Sequence, residues 1–265
     1  MDPIALIAAN LLVALALFAG LWVIAQMTRD PSFVDAFWAF GITVLALSSF
    51  VLAEGWAARQ IVITTLVAAW GLRLGTHLFL RWRREGADTR YEALLASARE
   101  KRSWPYWKTT ALFVFLPQAL LLWVTALPAQ LGQASPAIGF GAVAYAGMAL
   151  AIFGLVYEAL ADAQLAAFKA DPGNAGKVMD QGVWAWSRHP NYFGEAVTWW
   201  GIWLIGAETA PGLFAVIGPL FLTFTLTRWS GAPMLERGLK KRRPAYDAYA
   251  ARTSAFIPWP PKRED

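Results

Sequence analysis

Cysteine is absent from this 265-residue chain, and histidine occurs only twice, at His77 and His189. The first absence excludes disulfides, thiolate nucleophiles and cysteine metal sites. The second excludes a histidine-rich metal centre, because the two rings lie far apart in sequence. No metal is expected. Charge is scarce as well: 15% of residues are charged against 57% hydrophobic. A soluble domain is roughly half apolar and a quarter charged. A soluble chain of this size could not bury so much apolar surface. The composition calls for lipid as the solvent.

What is present agrees with that reading. Fifteen tryptophans occur, many beside charges, as in Arg81-Trp82-Arg83. Tryptophan favours the membrane–water interface, where its ring is apolar and its N–H is wet. A bilayer core about 30 Å thick needs roughly 20 helical residues to cross it. Apolar runs at about 4–27, 36–53, 61–80, 109–127, 138–160, 190–206 and 211–228 meet or approach that length. The first is too long for a signal-peptide core and has no basic flank, so it is read as a retained span. The expected fold is all-α: one polytopic membrane domain over 1–265, with seven spans and a tail at 229–265.

Basic residues set the orientation. Segments 81–108, 162–195 and 228–265 carry 20 of the 23 Lys and Arg. The intervening turns, 128–137 and 207–210, carry none. Cytoplasmic loops collect positive charge, so the N-terminus is expected outside and the C-terminus in the cytoplasm, with Arg59 the lone exception. The basic residues flank apolar spans, so they read as topology signals and no nucleic-acid partner is expected. The integral-membrane location expected is a bacterial inner membrane.

Four groups carry chemistry. On the third span, Arg73, His77, Arg81 and Arg84 share one helix face. An intramembrane Arg costs at least ~2.5 kcal/mol and needs a partner or a wet cavity. That stripe suits a phosphate-bearing ligand, or else it snorkels to headgroups, and it runs on into Asp88-Thr89-Arg90-Tyr91. On the fifth span, Glu158 and Asp162 lie one turn apart, acceptors for ribose or amide groups or simply a solvated helix end. The third group is Arg188-His189-Pro190-Asn191-Tyr192-Phe193-Gly194-Glu195. Pro190 suits a first helical position, whose free N–H groups favour an anion. Asn191, Glu195 and Trp199 then make one polar-aromatic face. Glu195 inside an apolar helix is a functional candidate, or a structural partner of Arg228. The fourth group is the tail, with Glu236, a basic run from Lys240 to Arg243 suited to headgroups, and Tyr246.

The third group, with Trp199-Trp200-Gly201 after it, resembles the signature of the steroid 5α-reductase-like membrane superfamily. Trp70-Gly71-Leu72-Arg73-Leu74, Ala161-Asp162-Ala163-Gln164 and Arg252-Thr253-Ser254-Ala255-Phe256-Ile257-Pro258 are similar to its DUF1295 branch. The resemblance runs from about residue 30 onward. It implies a seven-span fold holding NADPH from the cytoplasmic side, and reduction of an activated C=C bond in a steroid-like or other lipid. By position, Glu158, Asp162, Asn191, Tyr192, Glu195, Trp199, Arg228, Glu236 and Tyr246 would line the cofactor pocket. Arg73, His77, Arg81, Arg188 and His189 would meet its phosphates. The proton donor at the carbonyl would be Glu54, Asp35 or Tyr91. Steroid reductases carry a Gln-Glu pair on the second span, and here Ala53 precedes Glu54. Isoprenylcysteine carboxyl methyltransferases have a similar Arg-His-Pro-x-Tyr-x-Gly stretch, so S-adenosylmethionine-dependent methyl transfer is the alternative. A non-catalytic lipid-binding protein is a third.

Overall fold

The computed structural model describes residues 1–262. Every regular element among them is helical. The helices are α1 (Pro3–Thr28), α2 (Val34–Leu52), α3 (Ala57–Glu85), α4 (Thr89–Arg102), α5 (Tyr106–Thr125), α6 (Leu127–Gln133), α7 (Ala142–Ala170), α8 (Pro190–Gly206), α9 (Ala210–Phe214), α10 (Ile217–Phe224), α11 (Ala232–Arg242) and α12 (Tyr246–Arg252). A wide-turn segment at Ala111–Phe115 lies inside α5, and another, Thr225–Trp229, extends α10. Among the described residues, six stretches are long and apolar enough to cross a membrane: α1, α2, α3, α5, α7 and the broken run Ala210–Arg242. Helix α8, the expected sixth span, has 17 residues and falls short of that length.

Expected and observed boundaries differ where charge begins. Helix α3 runs on to Glu85 and α7 to Ala170. Their last turns carry Arg83, Arg84 and Lys169, cations that suit a helix C-terminus. The seventh apolar run breaks between Phe214 and Ile217. Segment 128–137, expected as a turn, begins inside α6, and every residue of that short helix is buried. The amide nitrogens of its two glutamines are satisfied internally, as lipid demands, while Gln130 Oε1 is buried without a partner. Gln133 Nε2 donates to the Ala46 carbonyl at 3.0 Å, and Gln130 Nε2 to the Trp123 carbonyl at 2.9 Å.

Arg59, the exception to the charge pattern, is fully buried at this end of the molecule. It donates to the carbonyls of Pro136 (3.2 Å) and Gly139 (2.8 Å) and stands 3.8 Å from Glu208. Its guanidinium lies over the rings of Trp56 and Phe140. Glu208 in turn accepts from the Gly141 and Ala144 N–H groups at the start of α7. Burial and bonding explain a cation here without reference to topology.

Helices α7 and α8 pack most intimately. A side chain at Gly194 would place its Cβ 2.6 Å from the Glu158 backbone nitrogen, and one at Gly154 would meet Thr198. Small residues let membrane helices approach this closely. That approach brings Glu158 and Glu195 to one level.

Candidate functional site

Glu158 is 1% exposed, Asp162 7% and Glu195 8%, so three carboxylates are withdrawn from solvent at the level where α3, α7 and α8 meet. Arg73 of α3 answers two of them. Its guanidinium pairs with Glu158 and donates to Asp162 Oδ2 at 2.5 Å. The second Glu158 oxygen accepts from Trp70 Nε1 at 3.0 Å, and Asp162 Oδ1 accepts from Asn191 Nδ2 at 3.2 Å. The Trp70 and Trp199 rings meet edge to face with centroids 5.2 Å apart.

Three groups in this cluster are left over, one of them the buried Nε of Arg73. Glu195 lies within electrostatic reach of Arg73 and Asp162 but makes no hydrogen bond or ion pair among the described residues. The expected pairing of Glu195 with Arg228 is not made. Arg228 is exposed on the Thr225–Trp229 turn, while the charges beside Glu195 are Arg73 of α3 and Asp162 of α7. The indole N–H of Trp199 is buried and has no acceptor. A buried donor without a partner costs about 1–3 kcal/mol, so an acceptor there would be held firmly.

The rest of the expected site falls into three places. His77 and Arg81 continue from Arg73 along α3; Asp162, Arg81, Arg73 and Arg84 are the charged neighbours of His77. Tyr192 stacks on His189 with centroids 5.5 Å apart, and Glu195, Arg90, Arg81 and Asp35 surround it electrostatically. The second place is the junction of α2 with α4. Tyr91 donates to Asp35 Oδ1 at 2.5 Å and accepts from Gln118 Nε2 at 2.9 Å. Arg90 bridges Asp35 Oδ2 (2.9 Å) and Asp88 Oδ2 (2.7 Å). Burial, reinforced by Asp35, pushes the Tyr91 phenol well above its ordinary range. Burial would raise the Asp88 carboxyl, but the Arg90 hydrogen bonds outweigh it and hold Asp88 low.

The third place is the tail. Glu236 binds Arg188 Nε at 2.9 Å and His189 Nε2 at 3.0 Å, with Tyr246 buried nearby. Arg188 also donates from its side chain to the Ala250 carbonyl (2.9 Å) and from its backbone to Ser254 (2.9 Å). Its charge is therefore committed to docking the C-terminal segment.

One expected residue belongs to none of these. Glu54 sits at the far end of α2 from Asp35, 89% exposed, with its carboxylate 2.7 Å from the Met1 amino group. Nineteen helical residues span roughly 28 Å, so Glu54 and Asp35 cannot serve one pocket. Glu54 therefore stands apart from every other expected site residue. Sequence reasoning missed Gln118 and the bridging role of Arg90, which complete the Asp35–Tyr91 junction. Gln118 was findable as a polar side chain within an apolar run; Arg90 lies in the Asp88-to-Tyr91 run already singled out, but no local signal gives its bridge from Asp88 to Asp35.

Fold and site together define an all-α membrane protein with a buried ionic cluster between three helices near its basic end. The chain belongs to the DUF1295 family, described as proteins of unknown function, whose model matches residues 21–253. It is similar to the uncharacterised protein C594.04c of Schizosaccharomyces pombe, at 25% identity over 94% of this chain and 78% of that protein. No solved structure matches it.

Proposed function

We propose that this protein is an NADPH-dependent reductase of an activated C=C bond in a membrane lipid of steroid-like or related type. The observation that carries the reading is the convergence of Arg73, Glu158, Asp162, Asn191, Glu195 and Trp199 at one buried level. These residues suit a nucleotide: Glu195 is a spare acceptor for hydroxyl or amide donors, and the Trp199 N–H is a spare donor. Because Arg73 is engaged by two carboxylates, the phosphates fall to His77, Arg81 and Arg84 further along α3.

NADPH, when bound, supplies the hydride. The chain must then orient the lipid and hold a proton at its carbonyl oxygen. Tyr91 does this best. Its phenol stays protonated, Asp35 and Gln118 fix its oxygen, and Asp35 also lies among the charged neighbours of Tyr192, beside Glu195. Such a positioned donor contributes about 10²–10⁴-fold. The grouping of basic segments supports seven crossings of a bacterial inner membrane with the N-terminus outside. Helix α8 would be a short sixth crossing of roughly 26 Å.

One observation favours a second reading. Three carboxylates face one arginine in the cluster, an excess that would also suit the sulfonium of S-adenosylmethionine. Purified protein titrated with NADPH, NADH and S-adenosylmethionine decides between them by tryptophan fluorescence quenching. Saturable quenching by NADPH, lost when Arg81 is changed to Glu, supports the reductase. Quenching by the methyl donor alone, or by none of the three, defeats it.

A further inference from the structure

Most partly buried arginines in this protein are spent on carboxylates or carbonyls: Arg59, Arg73, Arg188 and Arg252 all have such partners. At the corner where α1 and α4 end and α5 begins, two exposed arginines and the half-buried Lys108 lie over aromatic rings instead. Arg29 ends α1 in a left-handed conformation (φ 58°) with its guanidinium 5.0 Å from the Tyr106 ring centroid. Arg102, at the end of α4, lies 5.0 Å from the Trp104 ring and 5.2 Å from Phe113. Lys108, in the first turn of α5, places Nζ 4.2 Å over the other side chain of that corner, Trp104. None of the three forms an ion pair among the described residues, and the nearby carboxylate of Asp30 is taken by Ser32 and Trp82.

The corner is built to hold its shape. Ser103 adopts φ 53° at the α4 terminus, and Trp22 Nε1 donates to the Trp107 carbonyl at 3.0 Å, tying α1 to α5. Tyr106 donates to the Ala25 carbonyl at 3.3 Å. A guanidinium stacked on a ring spends its face and keeps its in-plane N–H donors free, the geometry that grips phosphate. Beside these cations Trp107 is 55% exposed, an apolar body at the level where two spanning helices end. Cations without counter-ions, aromatic rings and a membrane edge coincide here.

We propose that Arg29, Arg102 and Lys108 form a binding site for the headgroup phosphate of an anionic glycerophospholipid, separate from the ionic cluster at Arg73. The bilayer supplies the ligand, with its acyl chains running along Trp107 and α5. Each basic group near a membrane surface is worth about fivefold in binding. Neutralising two of them should therefore weaken retention about 25-fold.

The test uses the full-length protein in detergent, with phosphatidylglycerol and phosphatidylcholine offered at equal concentration and bound lipid counted by native mass spectrometry. The proposal expects preferential retention of phosphatidylglycerol, its loss in Arg102→Gln/Lys108→Gln, and its survival in Arg237→Gln, an exposed cation on α11. Inorganic phosphate in millimolar excess should compete weakly if the ligand is the whole lipid. Equal retention of the two lipids, equal loss in the Arg237 variant, or full displacement by inorganic phosphate would each overturn it. Circular dichroism of the double variant guards against unfolding, and Lys108→Arg should restore retention if the fold is intact.

Discussion

Arg59 and Arg73 lie on the same helix, four turns apart, the first fully buried and the second 23% exposed, and they occupy opposite situations. Arg59 is surrounded by groups that complete it: two carbonyls, one carboxylate and two aromatic faces. Nothing beside it is left wanting except its own Nε. Arg73 stands among three carboxylates and bonds two, leaving its own Nε, Glu195 and the Trp199 N–H without partners. A buried ion whose neighbours are all answered holds a fold together. A buried ionic cluster with spare donors and acceptors is destabilising unless something binds there. The contrast separates the structural end of this protein from its chemical end.

The sharpest way to break that contrast is to remove the structural cation. Arg59→Met should cost about 3–5 kcal/mol of stability, because it leaves two carbonyls and Glu208 uncompensated. Thermal unfolding followed by fluorescence-detected size exclusion measures it. The surviving folded fraction should bind NADPH with unchanged affinity. If affinity falls with stability, the two ends are not separable.

At the chemical end, Tyr91→Phe is expected to lower turnover about a hundredfold while leaving cofactor affinity within twofold. Single-turnover NADPH oxidation with an enone lipid, read at 340 nm, is the measurement. Equal loss in turnover and affinity would make Tyr91 a packing residue. Glu195→Gln should have a smaller consequence, about tenfold in NADPH affinity, with stability unchanged or slightly raised, because a neutral amide removes one of three crowded negative charges. A variant that unfolds would show that Glu195 completes the Arg73 cluster and is not spare.

How much of this was readable beforehand follows from the reach of each signal. The start of α8 was legible because Pro190 marks a first helical turn and the face of Asn191, Glu195 and Trp199 follows from spacing alone. That Arg73, Glu158 and Asp162 would gather was legible, since each is a charge in an apolar run. Their bonding pattern was not. Which carboxylate an arginine selects depends on how α3 is rotated against α7 and α8; the close approach at Gly154 and Gly194 fixes α8 against α7 but leaves α3 to longer-range packing. The same limit produced the assignment of Glu195 to Arg228. Helix α6 was hidden because Pro128 and Gly132 read as turn residues, and only burial makes a short helix there. The Asp35–Tyr91 junction joins residues 56 positions apart across α3, beyond any local pattern.

The smallest expected effect tests the Tyr91 environment without any ligand. Its phenol is pushed up from an ordinary value of 10.0 first by burial and then by the Asp35 charge, with Arg90 and Gln118 opposing. The native protein therefore keeps a proton that the unfolded chain releases as pH rises past 10.0. Stability from this group is whole below that pH and declines as pH climbs toward the raised native value. Tyr246 and Tyr249 are also raised, burial being the first cause in each, so all variants share a background decline. Tyr91→Phe should decline less steeply than the native protein between pH 10 and 11, and Asp35→Asn should fall between the two. Parallel curves for all three would mean that the phenol is not held by Asp35, and the proton donor would have to be sought elsewhere around Tyr192.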